Sequence, residues 1–168
     1  MHTVMQHVSL EKEPSYAEIS ELVQRLESQE ILTNEQADAI SVEDIVAFFT
    51  TPVGKRLLHA EVVHREIPFS LRVNQSELGV ESEEDEGILV QGIIDLVFKD
   101  ENGWVLVDYK TDNISERFQG DFNKALPILE KRYKIQVELY KKALEEIWKH
   151  TIDENYLFFF DGGCTISF

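Results

Sequence analysis

Three charged residues interrupt two otherwise apolar runs rich in β-branched side chains. Asp95 stands in Gly92-Ile-Ile-Asp-Leu-Val-Phe98; Asp108 and Lys110 stand in Trp104-Val-Leu-Val-Asp-Tyr-Lys110. Such runs read as buried strands. A buried charge is costly unless it is paired or bound to a metal. A lone Asp–Lys ion pair would not need a second carboxylate, and two neighbouring carboxylates repel unless a divalent cation lies between them. A lysine beside them can stabilise a developing anion or orient an attacking water. The chemistry this spells is hydrolysis of a phosphodiester assisted by Mg2+ or Mn2+.

These groups meet only if the two runs pair. The link from Lys99 ends in Asn102-Gly103, a strong hairpin signal because both residues accept positive φ. An antiparallel hairpin at the centre of a sheet is therefore expected. Two registers stay open. A loop of Asn102-Gly103 sets Asp95 opposite Lys110, and a loop from Asp100 to Gly103 sets it opposite Asp108. Either places all three on one face, with Cβ atoms about 4.5–8 Å apart. A three-residue loop would not.

Gly92-x-x-Asp95 followed by Asp108-Tyr-Lys110 resembles the D…(D/E)xK core of the restriction-endonuclease-like nucleases. The fuller string, continuing through Thr111-Asp112, resembles the RecB-type branch, and within it the nuclease domains of AddAB-type helicase–nucleases. The resemblance runs over nearly the whole chain. It implies an α/β fold, a restriction-endonuclease-like mixed β-sheet flanked by α-helices. It also implies a linear DNA substrate, single-stranded or at unwound duplex ends, in double-strand end processing for recombinational repair. Helicase domains in the same parent chain are implied with it, as is an AddB-like second nuclease subunit.

The same resemblance distributes roles. His2, on an N-terminal helix, joins Asp95, Asp108 and the carbonyl of Tyr109 as metal ligands, and Lys110 is catalytic. Glu66, within Arg65-Glu66-Ile-Pro-Phe69, lies near the site. Gln136-x-x-x-Tyr140 matches the QxxxY motif that positions DNA, with Thr111 beside it. On residues alone, an exposed terminal histidine signals nothing, and Gln and Tyr four apart only share a helix face.

Composition sets limits around this reading. At 168 residues one domain is expected, long enough for a real core. No apolar run reaches membrane-spanning length and no signal peptide is evident, so the cytoplasm is the expected compartment. The single cysteine, Cys164, rules out an internal disulfide and a cysteine-ligated iron–sulfur cluster. With 16 Lys and Arg against 32 Asp and Glu, the net charge is −16, awkward for a stand-alone DNA binder. Neighbouring domains or subunits are expected to supply the DNA track. No Gly-x-x-x-x-Gly-Lys-Ser/Thr loop is present, so this stretch is not itself an ATPase.

The elements that must hold the site follow in order. Residues 1–59 read as helical and 60–168 as the catalytic sheet with its helices. The chain opens without a cap inside a helical pattern (Val4, Met5, Val8), as a fragment of a longer helicase–nuclease would. Ser15-x-x-Glu18, Thr33-x-x-Gln36 and Ser41-x-x-Asp44 open three helices, and Thr51-Pro52 a fourth. Residues 60–73 read as a strand whose Pro68 suits an edge. Glu81 to Glu86 is a solvated charge run. Pro127 is expected to interrupt any long helix there. Tyr133 to Lys149 reads as an amphipathic helix with Ile135, Leu139, Ala143, Leu144, Ile147 and Trp148 on its apolar side, after the basic cluster Lys131 to Lys134. Tyr156 to Phe160 gives a last strand and Asp161-Gly-Gly163 a closing turn. His59 and His64 read as surface or packing residues. Two rivals remain: a stand-alone nuclease of the same fold, and a non-catalytic module that keeps the fold to hold DNA or a partner.

Overall fold

A computed structural model describes residues 1–78 and 87–168; the acidic run of Glu81 to Glu86 lies outside the described residues. Five strands form one mixed sheet in the order β1 (Val62–Val73), β2 (Ile88–Asp100), β3 (Gly103–Lys110), β4 (Glu154–Phe159), β5 (Cys164–Ser167). All neighbours are antiparallel except β3 and β4, which run parallel. A parallel pair needs a crossover, and α6 (Ile114–Arg117) with α7 (Phe122–Trp148) supplies it. β1 is an edge strand, which is how Pro68, without an N–H, fits within it.

Helices α1 (His2–His7), α2 (Tyr16–Ser28), α3 (Asn34–Asp38), α4 (Val42–Thr50) and α5 (Pro52–Leu58) precede the sheet. Ser15 and Thr33 close full capping boxes, Ser41 accepts from Asp44 N, and Thr51 caps α5 ahead of Pro52. Capping satisfies first-turn N–H groups that the helix cannot. These helices bury Val4, Met5, Leu22, Phe48 and Phe49 against Leu96, Phe98, Val107, Tyr109 and Phe158 of the sheet. Helix α7 covers the other side, where Ala143 and Leu144 meet Phe69, Val97 and Leu106.

Two expectations need correction. Pro127 does not end a helix: α7 runs 27 residues with Pro127 inside it. The missing N–H would have met the carbonyl of Asn123, and both residues are exposed, so water can take that carbonyl. Second, Ile135 and Ile147 are exposed, at 41% and 51%. The inward stripe of α7 instead runs through Ala125, Leu129, Val137, Ala143 and Leu144. At helical spacing Tyr133, Gln136 and Tyr140 fall within that stripe, so the buried side of α7 turns polar at its middle.

A slip in strand alternation lies at the centre of the sheet. Leu96 and Phe98 join the core under α1–α5, whereas Val97 and Ile94 join the core under α7. Residues 94 and 97 share a side only if the alternation breaks between them. The β2–β3 ladder ends at Leu96↔Val107, so β2 leaves β3 at Asp95. The register makes Asp100↔Gly103 the last pair before the turn, with Gly103 at φ +121°, and sets Asp95 across from Asp108.

Candidate active site

The point where β2 parts from β3 gathers the polar residues. The Asp95 carboxylate replaces the lost ladder bond: its Oδ2 accepts from the Tyr109 N–H at 2.7 Å. Opposite Asp95 on β1 falls Glu66, between the pairs Arg65↔Leu96 and Ile67↔Ile94. Glu66 holds φ at +53°, a left-handed conformation that is uncommon for glutamate. Burial raises its carboxyl pKa, and Asp95 raises it further.

His2 reaches this point from the start of α1. Its Nε2 lies 3.0 Å from the Tyr109 carbonyl oxygen and 3.4 Å from Asp95 Oδ2. The hydrogen bond with Asp95 is the main reason its pKa is raised, against the effect of burial. Helix α1 is held by its buried face and at its C-terminal end. Val4 and Met5 are buried, and Arg65 Nη1 donates to the carbonyls of Gln6 at 2.7 Å and Val8 at 2.9 Å. Arg65 thus ties the strand carrying Glu66 to the helix carrying His2. In the sequence Arg65 stands out only as part of the Arg65-Glu66 string.

Asp108 and Lys110 project from β3 toward α7. Asp108 is 3% exposed and its Oδ2 lies 2.5 Å from Lys110 Nζ, yet that oxygen has no well-directed hydrogen bond. Burial pushes its carboxyl up to about 6, because Lys110 offsets only part of the desolvation and Asp95 adds to it. Lys110 Nζ donates to Gln136 Oε1 at 2.7 Å, and Gln136 Nε2 donates to the Tyr140 hydroxyl at 2.7 Å. Tyr140 rests edge-on against Phe69, whose ring lies over Gly92; a Cβ at Gly92 would stand 2.8 Å from it. The glycine of Gly92-x-x-Asp95 therefore makes room for the ring that backs Tyr140.

Tyr133 also belongs to this group. The Lys110 ammonium sits 4.2 Å from its ring centroid, and its hydroxyl donates to Asp112 Oδ2. In the sequence Tyr133 shows as part of a basic cluster and as the start of the amphipathic helix; its spacing of three from Gln136 and seven from Tyr140 is the available signal for a site role. Thr111 follows Lys110 and is exposed, outside these contacts. His59 bonds the Lys55 carbonyl, and His64 stacks near Trp104 and Trp148.

Residues 1–164 match the PD-(D/E)XK nuclease superfamily. The chain belongs to this superfamily. Over 168 residues it is 47% identical to an ATP-dependent helicase/nuclease subunit of Bacillus velezensis. It is 46% and 44% identical to the subunits of the same name from Bacillus cytotoxicus and Bacillus licheniformis. In each case 99–100% of this chain is covered but only 14% of the relative. No helix among the described residues is long and apolar enough to cross a membrane.

PD-(D/E)XK nucleases generally use divalent metals such as Mg2+. Among the described residues no three His, Cys, Asp or Glu side chains stand spaced to grip a cation by themselves. The donor set nonetheless fits one by type. It offers two carboxylates, a backbone carbonyl and an imidazole, which suits a hard cation. The buried Asp108 Oδ2, short of a well-directed partner, has an acceptor to offer.

Proposed function

We propose that the chain is a metal-dependent deoxyribonuclease domain in which Asp95, Asp108, His2 and the Tyr109 carbonyl hold Mg2+ or Mn2+. The observation that carries this reading is the convergence of Asp95 and Asp108 at the end of the β2–β3 ladder, with Lys110 Nζ 2.5 Å from Asp108. A divalent cation there would polarise a phosphate oxygen and ease deprotonation of water. Lys110 orients the attacking water or offsets charge developing on the phosphate. Gln136 holds the Lys110 ammonium, and Tyr140 fixes the Gln136 amide and lines the strand's path. Glu66 faces Asp95 as an auxiliary acid or base. Thr111, at the exposed exit of β3, contacts the strand.

The domain serves a longer helicase–nuclease chain with an AddB-like second nuclease partner, acting in the cytoplasm on DNA ends for recombinational repair. The name shared by its relatives, of which it spans 14%, supports the helicase–nuclease parent chain in this wider role. Linear single-stranded DNA incubated with Mn2+ tests the activity. Lys110→Ala is expected to slow cleavage about 10²–10³-fold, and Asp108→Ala to abolish it, with circular dichroism unchanged. Cutting at the wild-type rate by either folded variant would refute the assignment.

A further inference from the structure

We propose that Arg132 and Arg117, gathered on Asp112, form a phosphate-binding station for the DNA strand next to Lys110. This rests on the nuclease reading above and deepens it. Asp112 lies two residues beyond Lys110 and its side chain is 12% exposed. Its Oδ1 accepts from Arg132 Nη1 at 2.8 Å, and Arg117 Nη1 stands 4.0 Å from the same oxygen. Its Oδ2 takes the Tyr133 hydroxyl. Tyr133 then joins the two halves: Lys110 Nζ lies 4.2 Å and the Arg132 guanidinium carbon 5.9 Å from its ring centroid.

Arg132 thus bonds the carboxylate while Arg117, at 4.0 Å, stands beside it without a hydrogen bond, so two guanidinium groups face one Asp112. An ion pair serving only to pin the loop would need one arginine. Both arginine side chains stay open to solvent, at 41% and 56% exposure. Arginine carries five donors in a fork that matches phosphate oxygens, and Asp112 engages Arg132 through Nη1. Asp112 therefore orients the fork without filling it.

The charge distribution points the same way. Residues 110–149 carry nine of the 16 Lys and Arg but only seven of the 32 Asp and Glu. That stretch is net +2 in a chain of net −16, which leaves −18 for all the rest. It comprises the end of β3, α6 and α7. A polyanion approaching the site meets net negative charge over the chain as a whole and attraction along this stretch.

The test is binding of a fluorescein-labelled single-stranded oligonucleotide in chelator, where nothing is cut, across 25–200 mM salt. Each phosphate contact contributes about 0.7 to the slope of log affinity against log salt for a single strand. Arg132→Gln is expected to weaken binding about 5-fold or more at low salt and to lower the slope by about 0.7. Arg117→Gln is expected to do the same more weakly. Arg132→Lys keeps the slope, and Lys12→Gln, ahead of α2, changes nothing. With Mn2+ present, Arg132→Gln raises KM while kcat holds within about twofold. A purely structural Arg132 would shift the melting temperature and leave the slope alone, and that result overturns the proposal. A wild type that cuts with Mn2+ yet shows no salt-dependent binding overturns the station alone; one that neither binds nor cuts takes the DNA-nuclease reading with it.

Discussion

Glu66 keeps a backbone angle that glycine would adopt freely, opposite the aspartate that ends the central ladder. Such angles persist where surrounding structure enforces them, often at functional sites. Left-handed conformation costs an L-residue about 1 kcal/mol or more. Glu66→Gly is therefore predicted to be about 1 kcal/mol more stable than Glu66→Ala in chemical denaturation, while both lose activity. Equal stabilities would show that the angle stores no strain. At this scale the sequence was informative about which residues meet and silent about how. Asp95, Asp108 and Lys110 stood out as charges in apolar runs. Nothing in the string revealed that Asp95 would replace a ladder bond to the Tyr109 N–H, because that depends on where β2 leaves β3. The contacts of Tyr133 are not legible in the sequence because its partners Lys110 and Asp112 lie more than twenty residues away in the chain.

Among the elements, Arg56 ties three together. It bonds both oxygens of Asp100 at the β2–β3 turn, at 2.7 and 3.2 Å, and both oxygens of Glu154 at the start of β4. Asp100 is almost buried, so removing its partner leaves a poorly solvated charge. Arg56→Met is predicted to cost about 2 kcal/mol at pH 7. Hydrogen bonds from Arg56 hold both carboxyl pKa values below their ordinary range. Depressed folded-state values contribute stability that is present above the unfolded pKa, about 4, and lost as pH falls through the folded pKa. Denaturation midpoints at pH 7 and pH 3 should then differ more for the wild type than for Arg56→Met; equal differences would contradict the clamp. Capping residues made helix starts legible, and Pro68 marked the edge strand. The hairpin register stayed open because the turn residues allowed two solutions, and packing selected the one that sets Asp95 across from Asp108. The apolar stripe of α7 is only partly legible because its polar middle faces inward at the site while Ile135 and Ile147 face out.

Across the whole molecule, fold class and family were readable because local signals agreed: strand runs, caps, the Asp-Tyr-Lys string and the Gln136-Tyr140 pair. The charge distribution was less legible, since a net charge of −16 conceals a positive stretch around α7. Metal affinity should follow the protonation of the shared site. Asp108 is held up to about 6 by burial, and the Asp95 hydrogen bond raises His2 above its ordinary value. A ligand must shed its proton to bind a cation. Mn2+ affinity measured by calorimetry is therefore predicted to fall at least about 10-fold between pH 7.5 and 5.5. Affinity independent of pH would mean that neither group is a ligand.

The most direct measurement of the central claim is anomalous scattering from crystals soaked in Mn2+. The account predicts a peak bounded by the Asp95 and Asp108 carboxylates and the Tyr109 carbonyl, with His2 beside it. Millimolar Mn2+ that leaves this place empty, or settles elsewhere on the chain, would contradict it.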